Sequence, residues 1–335
     1  MTSREKIHVP DAPSILGLAF RRFRGEDDYP VMVAVLERHN AADRIERAVT
    51  VEDVARTYTY LTNCDPYQDM LFAEVDGHVI GYNRVTWWKE SRGNRIYHHF
   101  GFLVPEWRQQ GIGRAMLYHS ERRLHEIAAD HPANGARFLE SYAEDTQPGL
   151  ESLLLREGYV AVRHGYDMVR EIAGSLPRAP LPSGTEVRPV PPERYRALWA
   201  AMDEAFRDHW GYSPPTEEDY QEWLHEPTFQ PELWQVAWDG DEIVGMVLNF
   251  IDVKENEQYK RQRGYTEGIC VRRPWRRRGI ARALLTGSFH LLRERGMTEA
   301  ALGVDTQNPN GALQLYESVG FRPVKRGSTY RKPMS

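Results

Sequence analysis

The sequence predicts an α/β (α+β) protein built as a tandem duplication of one domain, each copy a mixed, mostly antiparallel sheet flanked by helices. Three observations carry that expectation. At 335 residues the chain exceeds what one compact core usually supports. Its landmarks recur in the same order in both halves. Within each half, strand-like segments surround one long stretch with apolar residues at helical spacing.

The repeat shows when residues 102–117, FLVPEWRQQGIGRAML, are set beneath residues 270–285, CVRRPWRRRGIARALL. Trp107 falls on Trp275, Arg108 on Arg276, Gly111 on Gly279 and Leu117 on Leu285, all at one offset. Tyr97 matches Tyr265 at the same offset. VDGHVIG from Val75 pairs with WDGDEIVG from Trp238, DTQPG from Asp145 with DTQNPNG from Asp305, and REGY ending at Tyr159 with SVGF ending at Phe321. Between the copies, residues 171–187 carry three prolines and two glycines without apolar periodicity. The expected division is residues 1–174, a stiffened linker over 175–186, and residues 187–335.

Each copy contains a hairpin turned at an Asp-Gly pair, Asp76-Gly77 and Asp239-Gly240. A strand follows (residues 96–104 and 265–271), then a turn bearing arginine and glycine, then a helix. Ile280, Leu284, Ser288, Leu291 and Leu292 form one face of that helix, matched by Ile112, Met116, Ser120 and Leu124. Another strand (residues 138–143 and 299–304) leads into a short helix that ends at Gly158 or Gly320.

Composition narrows the function. Lys and Arg total 43 against 48 for Asp and Glu, a net charge of −5, so the chain lacks the basic balance of a protein that wraps nucleic acid. The five arginines between Arg272 and Arg278 are a local feature. Two cysteines, Cys64 and Cys270, without metal-ligand spacing, exclude a disulfide framework, give no metal site and point to a reducing compartment. No apolar run approaches ~18 residues, and the N-terminus does not read as a signal peptide, so a cytoplasmic protein without a membrane segment is expected.

Arg272, Arg273, Arg277 and Arg278 face Val104, Pro105, Gln109 and Gln110 in the other copy. What recurs is Arg-x-x-Gly-x-Gly/Ala, as RQQGIG and RRRGIA. A helix that starts after such a turn presents about four unpaired N–H groups and the positive end of its dipole, which suits phosphate oxygens. Gly111 and Gly279 let a ligand approach the backbone, and Gly113 or Ala281 keeps the first helical turn uncrowded. A phosphate cradle accounts for the repeat better than a grip on nucleic acid.

Both copies resemble the GNAT superfamily of acetyl-CoA-dependent acyltransferases, whose [QR]-x-x-G-x-[GA] signature follows the fourth strand and binds the pyrophosphate of coenzyme A. NPNGALQLYESVGF, from Asn308 to Phe321, resembles that superfamily's closing segment, where a helix bears a tyrosine near the thioester sulfur. Among tandem members the layout resembles the mycothiol synthases, with an amine acceptor and a catalytic C-terminal copy. The resemblance implies acetyl-CoA as acyl donor, bound by Cys270, Val271, Arg276, Arg277, Arg278, Gly279, Ile280, Ala281, Arg282 and Asn308. If the first copy also binds it, the matching residues are Leu103, Arg108, Gln109, Gln110, Gly111, Ile112, Gly113 and Arg114.

Acyl transfer to an amine requires the ammonium to lose a proton, the carbonyl oxygen to be supported and the departing thiolate to be protonated. Glu267, four residues before Val271 and so expected on the same strand face, is the candidate base through water. Tyr316, at the matched family position, is the candidate acid. An amide at Cys270 or Val271 is the candidate support for the thioester oxygen. A strand glutamate is often simply solvated, and a helical tyrosine ahead of Gly-Phe often packs a core. At the matching positions the first copy has His99 and Leu154. Leucine has no proton to give, whereas His99 is either a base near its usual pKa of ~6.5 or a packed, hydrogen-bonded residue. The first copy is therefore expected to be non-catalytic.

Residues 199–234 are rich in aromatics and acids, which suits a cationic amine with an apolar body. Equally, Thr216 there caps a helix whose first turn holds Glu217, Glu218 and Asp219. Residues 253–264 read as a mobile charged loop. The leading reading is an N-acetyltransferase that acts on a small-molecule primary amine by direct attack in a ternary complex. It needs no metal, nucleic acid or membrane, and it works as a monomer or homodimer. The rival is an acetyl-CoA-binding regulatory or scaffold protein without turnover.

Overall fold

Asp76 and Gly77 both adopt left-handed backbone, φ 49° and 81°, the geometry of a tight hairpin turn that an Asp-Gly pair favours. That hairpin joins two strands of the first of two units in the computed structural model, which describes residues 6–334. Unit 1 comprises Met1–Val162 with Ser328–Ser335, and unit 2 comprises Arg163–Gly327.

Unit 1 runs β1 (Leu18–Arg21), α1 (Tyr29–Asp43), α2 (Val51–Thr59), α3 (Pro66–Asp69), β2 (Met70–Val75), β3 (His78–Lys89), β4 (Arg95–Leu103), α4 (Ile112–Ala129), β5 (Arg137–Glu144), α5 (Pro148–Arg156) and the start of β6 (Val160–Glu171). Strands β1 to β5 lie side by side in sequence order. Only β4 and β5 pair in parallel, because α4 carries the chain back between them. The chain's last residues return beside β5, where Met334 N–H donates to Arg137 C=O at 3.0 Å.

Unit 2 begins within β6 and continues with β7 (Thr185–Val187), α6 (Tyr195–Phe206), α7 (Glu217–Leu224), β8 (Gln235–Asp239), β9 (Glu242–Phe250), α8 (Val253–Tyr259), β10 (Arg263–Val271), α9 (Ile280–Glu294), β11 (Glu299–Asp305), α10 (Ala312–Ser318) and β12 (Arg322–Pro333), whose end belongs to unit 1. The strand order is β7-β8-β9-β10-β11-β6, with β10 and β11 the parallel pair, as β4 and β5 are in unit 1.

The two sheets share a buried polar lock. Asn83 on β3 donates to Ser120 Oγ on α4 at 2.7 Å, and Asn249 on β9 donates to Ser288 Oγ on α9 at 3.0 Å. The serines lie on the helix faces that the apolar periodicity marks. Both are buried, and each is satisfied by an asparagine from the sheet.

Two sequence expectations are corrected. The units do not divide at the proline-rich stretch: the break falls at Val162/Arg163, and the C-terminal residues rejoin unit 1. The stretch itself is no free linker, since Ile172 is fully buried and Leu176 and Leu181 pack against unit 2's core. Its prolines space apolar side chains that have a surface to cover. The charged segment after Phe250 is not a loop either. Asp252 caps α8 by accepting from Glu255 N–H at 2.9 Å, and Glu255 is buried against Arg261 and Tyr265. An ion pair, rather than apolar spacing, fastens this helix.

Candidate active site

The two Arg/Gly turns follow the same backbone path. Arg277 and Gly279 are left-handed, φ 64° and 90°, and so are Gln109 and Gly111, φ 60° and 88°. Alternating left-handed residues tip successive N–H groups toward one concavity, the form of an anion nest. Helices α9 and α4 then begin with no side-chain cap, so their first amides remain available. Ile280 and Ile112 are buried and anchor each helix start. A side chain added at Gly279 would meet nothing within 4 Å, leaving the open approach a diphosphate requires. At Gly111, by contrast, Pro13 Cβ lies 3.4 Å from the corresponding position. Asp11, paired with Arg122 at 2.5 Å, holds that N-terminal segment in place.

The five arginines divide into two groups. Arg276 donates to Val271 C=O at 2.9 Å, Asp208 at 2.8 Å and Ala205 C=O at 3.0 Å, so its guanidinium is a clamp between strand end and α6. Arg108 does the same in unit 1, donating to Leu103 C=O at 3.1 Å and Asp43 at 2.5 Å. Arg272 pairs with Glu204 and Glu242, each at 2.8 Å, and Arg273 pairs with Asp208. These contacts hold the Asp208 carboxyl well below its usual range, through Arg273 first and Arg276 next. Arg277 and Arg278 are exposed and, among the described residues, make no hydrogen bond or ion pair. Arg282 donates to Ser318 Oγ at 2.8 Å, and Asn308 Oδ1 accepts from Asn310 N–H at 2.8 Å. Of the side chains expected to meet the donor, Arg276 and Arg108 are thus committed elsewhere, while Arg277 and Arg278 are left facing solvent.

Strand β10 contains a bulge. Its register with β9 pairs Glu267 with Leu248 but Cys270 with Met246, one extra residue, and Gly268 sits left-handed at φ 58°. The bulge breaks the alternation that would place Glu267 and Val271 on one face. Val271 packs with the α9 side of the core, and Cys270 with the cluster around α6. Parallel pairing of β10 with β11 ends at Tyr265 and Ala301, and beyond it the two strands part. Glu267 occupies the gap, its Oε1 accepting from Gly303 N–H at 3.1 Å. Burial raises its carboxyl to about 7, opposed by the Gly303 amide and reinforced by Asp167. Tyr316 on α10 is 6% exposed, and its phenol is raised by burial, then by Glu267 and Cys270. The structure therefore places the predicted base and acid close enough for the Glu267 charge to act on the phenol. Burial pushes the Cys270 thiol up to about 12.

Unit 1 lacks this arrangement. Strand β4 pairs with β3 in unbroken register from Leu103 to Arg95, with Phe100 where β10 has Gly268. His99 is buried, its Nε2 2.8 Å from Tyr159 Oη, and burial, then His98 and Lys332, depress its pKa to about 3. Leu154 is fully buried. His99 is the packed residue of the two readings.

On the acceptor side, Thr216 caps α7 in a capping box: Asp219 N–H donates to Thr216 Oγ1 at 3.2 Å, and Thr216 N–H donates to Asp219 at 2.6 Å. Trp199, Tyr220, Trp223, Phe229 and Trp234 pack against one another, mostly edge to face, so the aromatic richness of this segment builds a core. No motif or spacing marks Asp208 and Glu204 as arginine partners. The bulge did leave a sign, a glycine directly after Glu267 in a strand. No group of three or more His, Cys, Asp or Glu among the described residues is disposed to hold a metal ion, and no helix there is long and apolar enough to cross a membrane.

A nest followed by an uncapped helix occurs in both copies. In the second copy a carboxylate between parted parallel strands is coupled to a phenol on α10, and together these features define an acyltransferase architecture. Residues 35–143 and 196–321 match the Acetyltransferase (GNAT) family, and the chain belongs to it. It is 30% identical over 257 residues to the mycothiol acetyltransferase of Geodermatophilus obscurus, covering 76% of this chain and 79% of that protein. A crystal structure of a GCN5-related N-acetyltransferase from Sphaerobacter thermophilus is 26% identical, with a TM-score of 0.71 over 95% of this chain and 97% of that one. A tandem GNAT protein from the clavulanic acid biosynthesis pathway shares the fold at 14% identity, with a TM-score of 0.65 over 94% of this chain and 98% of that one. The protein is thus an N-acyltransferase of a family whose acyl donor is acetyl-CoA.

Proposed function

We propose that the C-terminal copy transfers an acetyl group from acetyl-CoA to a small-molecule primary amine by direct attack, and that the N-terminal copy does not turn over. The observation that carries this is the coupling of Glu267, in the gap where β10 and β11 part, to the Tyr316 phenol on α10. The likeness to mycothiol acetyltransferases supports a small-molecule acceptor. The nest before α9, with its open Gly279 and the free Arg277 and Arg278, fits a diphosphate and a further phosphate.

The donor, when bound, supplies an activated acyl group and a thiolate that leaves. Glu267, near 7, accepts a proton from the acceptor's ammonium through water at neutral pH. An amide at the bulged end of β10, at Cys270 or Val271, supports the carbonyl oxygen as it gains charge. Tyr316 gives its phenolic proton to the departing sulfur. A half-buried Cys270 thiol with its pKa pushed up to about 12 is a poor nucleophile, which favours direct attack over an acyl-cysteine. The test is thiol release from acetyl-CoA over a set of primary amines, with Tyr316→Phe compared against Leu154→Ala. Loss of rate only at Tyr316 supports the assignment, and equal losses overturn it. Binding of acetyl-CoA without thiol release from any amine would instead favour a regulatory or scaffold role.

A further inference from the structure

We infer that unit 1, the copy without the reactive pair, holds a binding site for a carboxylate borne on an apolar body, anchored by the Arg84 guanidinium. The inference stands apart from the proposed reaction.

Arg84 on β3 pairs with Phe100 on β4, and Thr86 pairs with His98, so these four side chains share one face of the sheet. That face meets α2 and the segment after it. Thr86 Oγ1 donates to Thr62 C=O at 3.2 Å, and Arg84 Cζ stands 5.2 Å from the centre of the Tyr58 ring. The centre of the Phe100 ring lies 4.8 Å from the same Cζ. Two rings thus hold the guanidinium plane in place. Arg84, Tyr58 and Phe100 are all half-buried, so the cluster reaches the surface.

The guanidinium has no counter-charge. Its Nε is shut off from solvent without a hydrogen-bond partner, and among the described residues no carboxylate pairs with Arg84. The neighbouring acids are engaged elsewhere: Asp69 accepts from Arg123 at 2.8 Å, and Glu140 accepts from Arg331 at 2.7 Å. Burial raises the Tyr58 phenol and the Cys64 thiol each to about 12, with the Arg84 charge opposing, so both stay neutral. The Tyr58 hydroxyl gives its proton to Met70 Sδ at 3.1 Å and can take only one or two of the five guanidinium donors. Ring faces attract the charge but do not satisfy its N–H groups, and dry donors without a bond are destabilising.

The other copy has nothing comparable at this place. Gly81 opposes Leu103 as Gly245 opposes Val271, and three residues beyond each glycine stand Arg84 and Leu248. Leu248 lies over the bulge, its Cγ 3.0 Å from where a Cβ on Gly268 would be. Where unit 2 sets leucine over glycine, unit 1 sets arginine over phenylalanine.

The donor set selects the ligand. A guanidinium offers parallel N–H groups that match the two oxygens of a carboxylate. From the Tyr82–Phe102 pair to the Trp88–Ile96 pair, Arg84 is the one permanently charged residue on the face, which suits a single negative charge better than a phosphate dianion. Tyr58, Phe100 and Trp88 suit a flat apolar body.

Calorimetric titration of the full chain with benzoate tests this, with benzamide and inorganic phosphate as comparisons. One benzoate is expected to bind per chain, and both comparisons at least about tenfold more weakly. Arg84→Gln is expected to weaken benzoate by at least about tenfold, the worth of a hydrogen bond between charged groups, and Arg84→Lys by less, since it keeps the charge and loses the fork. Should Arg84→Gln fail to fold by circular dichroism, nitrogen-15 spectra of arginine-labelled protein decide. The Nε–H resonance that Arg84→Lys lacks is expected to shift in the wild type when benzoate is added. Absence of benzoate binding, equal affinity for benzamide, full binding by folded Arg84→Gln or an unmoved Nε–H resonance would each overturn the inference. Phosphate binding as tightly as benzoate would overturn the choice of a carboxylate. None of these measurements uses thiol release, so failure of the proposed reaction leaves them unaffected.

Discussion

Glu267 and His99 occupy the same position on the same strand of the two copies, and burial acts on both. It raises the glutamate to about 7 and depresses the histidine to about 3. In each case the low-dielectric surroundings disfavour the charged form. For a carboxylic acid that brings the proton to the edge of exchange at neutral pH, whereas for an imidazole it removes the proton altogether. The backbone completes the divergence. A glycine opens β10 at the bulge, while Phe100 keeps β4 paired and closed. One duplicated scaffold therefore yields a parted pair of strands in one copy and a packed core in the other through differences at a few positions.

The comparison is broken most directly by Glu267→Gln, expected to lower kcat/KM by roughly 10²–10⁴, against His99→Gln, expected to leave the rate per folded molecule within about twofold. Initial rates of thiol release, normalised to folded protein by circular dichroism, check both. Next in size, Tyr316→Phe is expected to reduce kcat by about 10² with little loss of stability. Leu154→Ala should cost about 2–5 kcal/mol in urea unfolding and leave the chemistry intact.

The two pKa shifts predict opposite profiles. Activity should fall about tenfold per pH unit below 7, as Glu267 takes up its proton. Stability behaves differently in unit 1. Below the unfolded value of ~6.5 the unfolded chain binds a proton that folded His99 refuses down to about 3, so stability is lost as the pH falls through that window. Urea midpoints against pH should show the slope, and His99→Gln should flatten it.

The smallest effects sharpen the cradle. Calorimetry should find one acetyl-CoA per chain. Arg277→Ala and Arg278→Ala should each weaken it about three- to tenfold, more at low salt, while Gln109→Ala and Gln110→Ala change nothing. A second site of equal affinity would show that Pro13 does not obstruct the first nest.

Much of this was legible because duplication supplies an internal control. Residues kept in both copies, such as Gly111 and Gly279, point to shared backbone geometry, and residues changed between them, such as Leu154 and Tyr316, point to divergent chemistry. The clamp role of Arg276 was hidden, since its partners Asp208 and Ala205 are distant in sequence and carry no motif. The bulge was half-legible: the glycine after Glu267 is visible, but whether a strand glycine bulges depends on its neighbour's register. The fastening of α8 by a buried Glu255 was invisible to apolar periodicity because charge holds it. The division of the units is hidden in the sequence because strand membership follows pairing, which the order of residues does not declare.

That division has a consequence for biosynthesis. Arg331 reaches Glu90 at 2.5 Å and Glu140 at 2.7 Å, and all three are buried in unit 1. Until Arg331 has left the ribosome, those two carboxylates lack this counter-ion, at a cost of about 3–5 kcal/mol for a buried charge left alone. Unit 1 begins first yet is finished only after all of unit 2 has been made, and termination between the two leaves unit 1 without this pair.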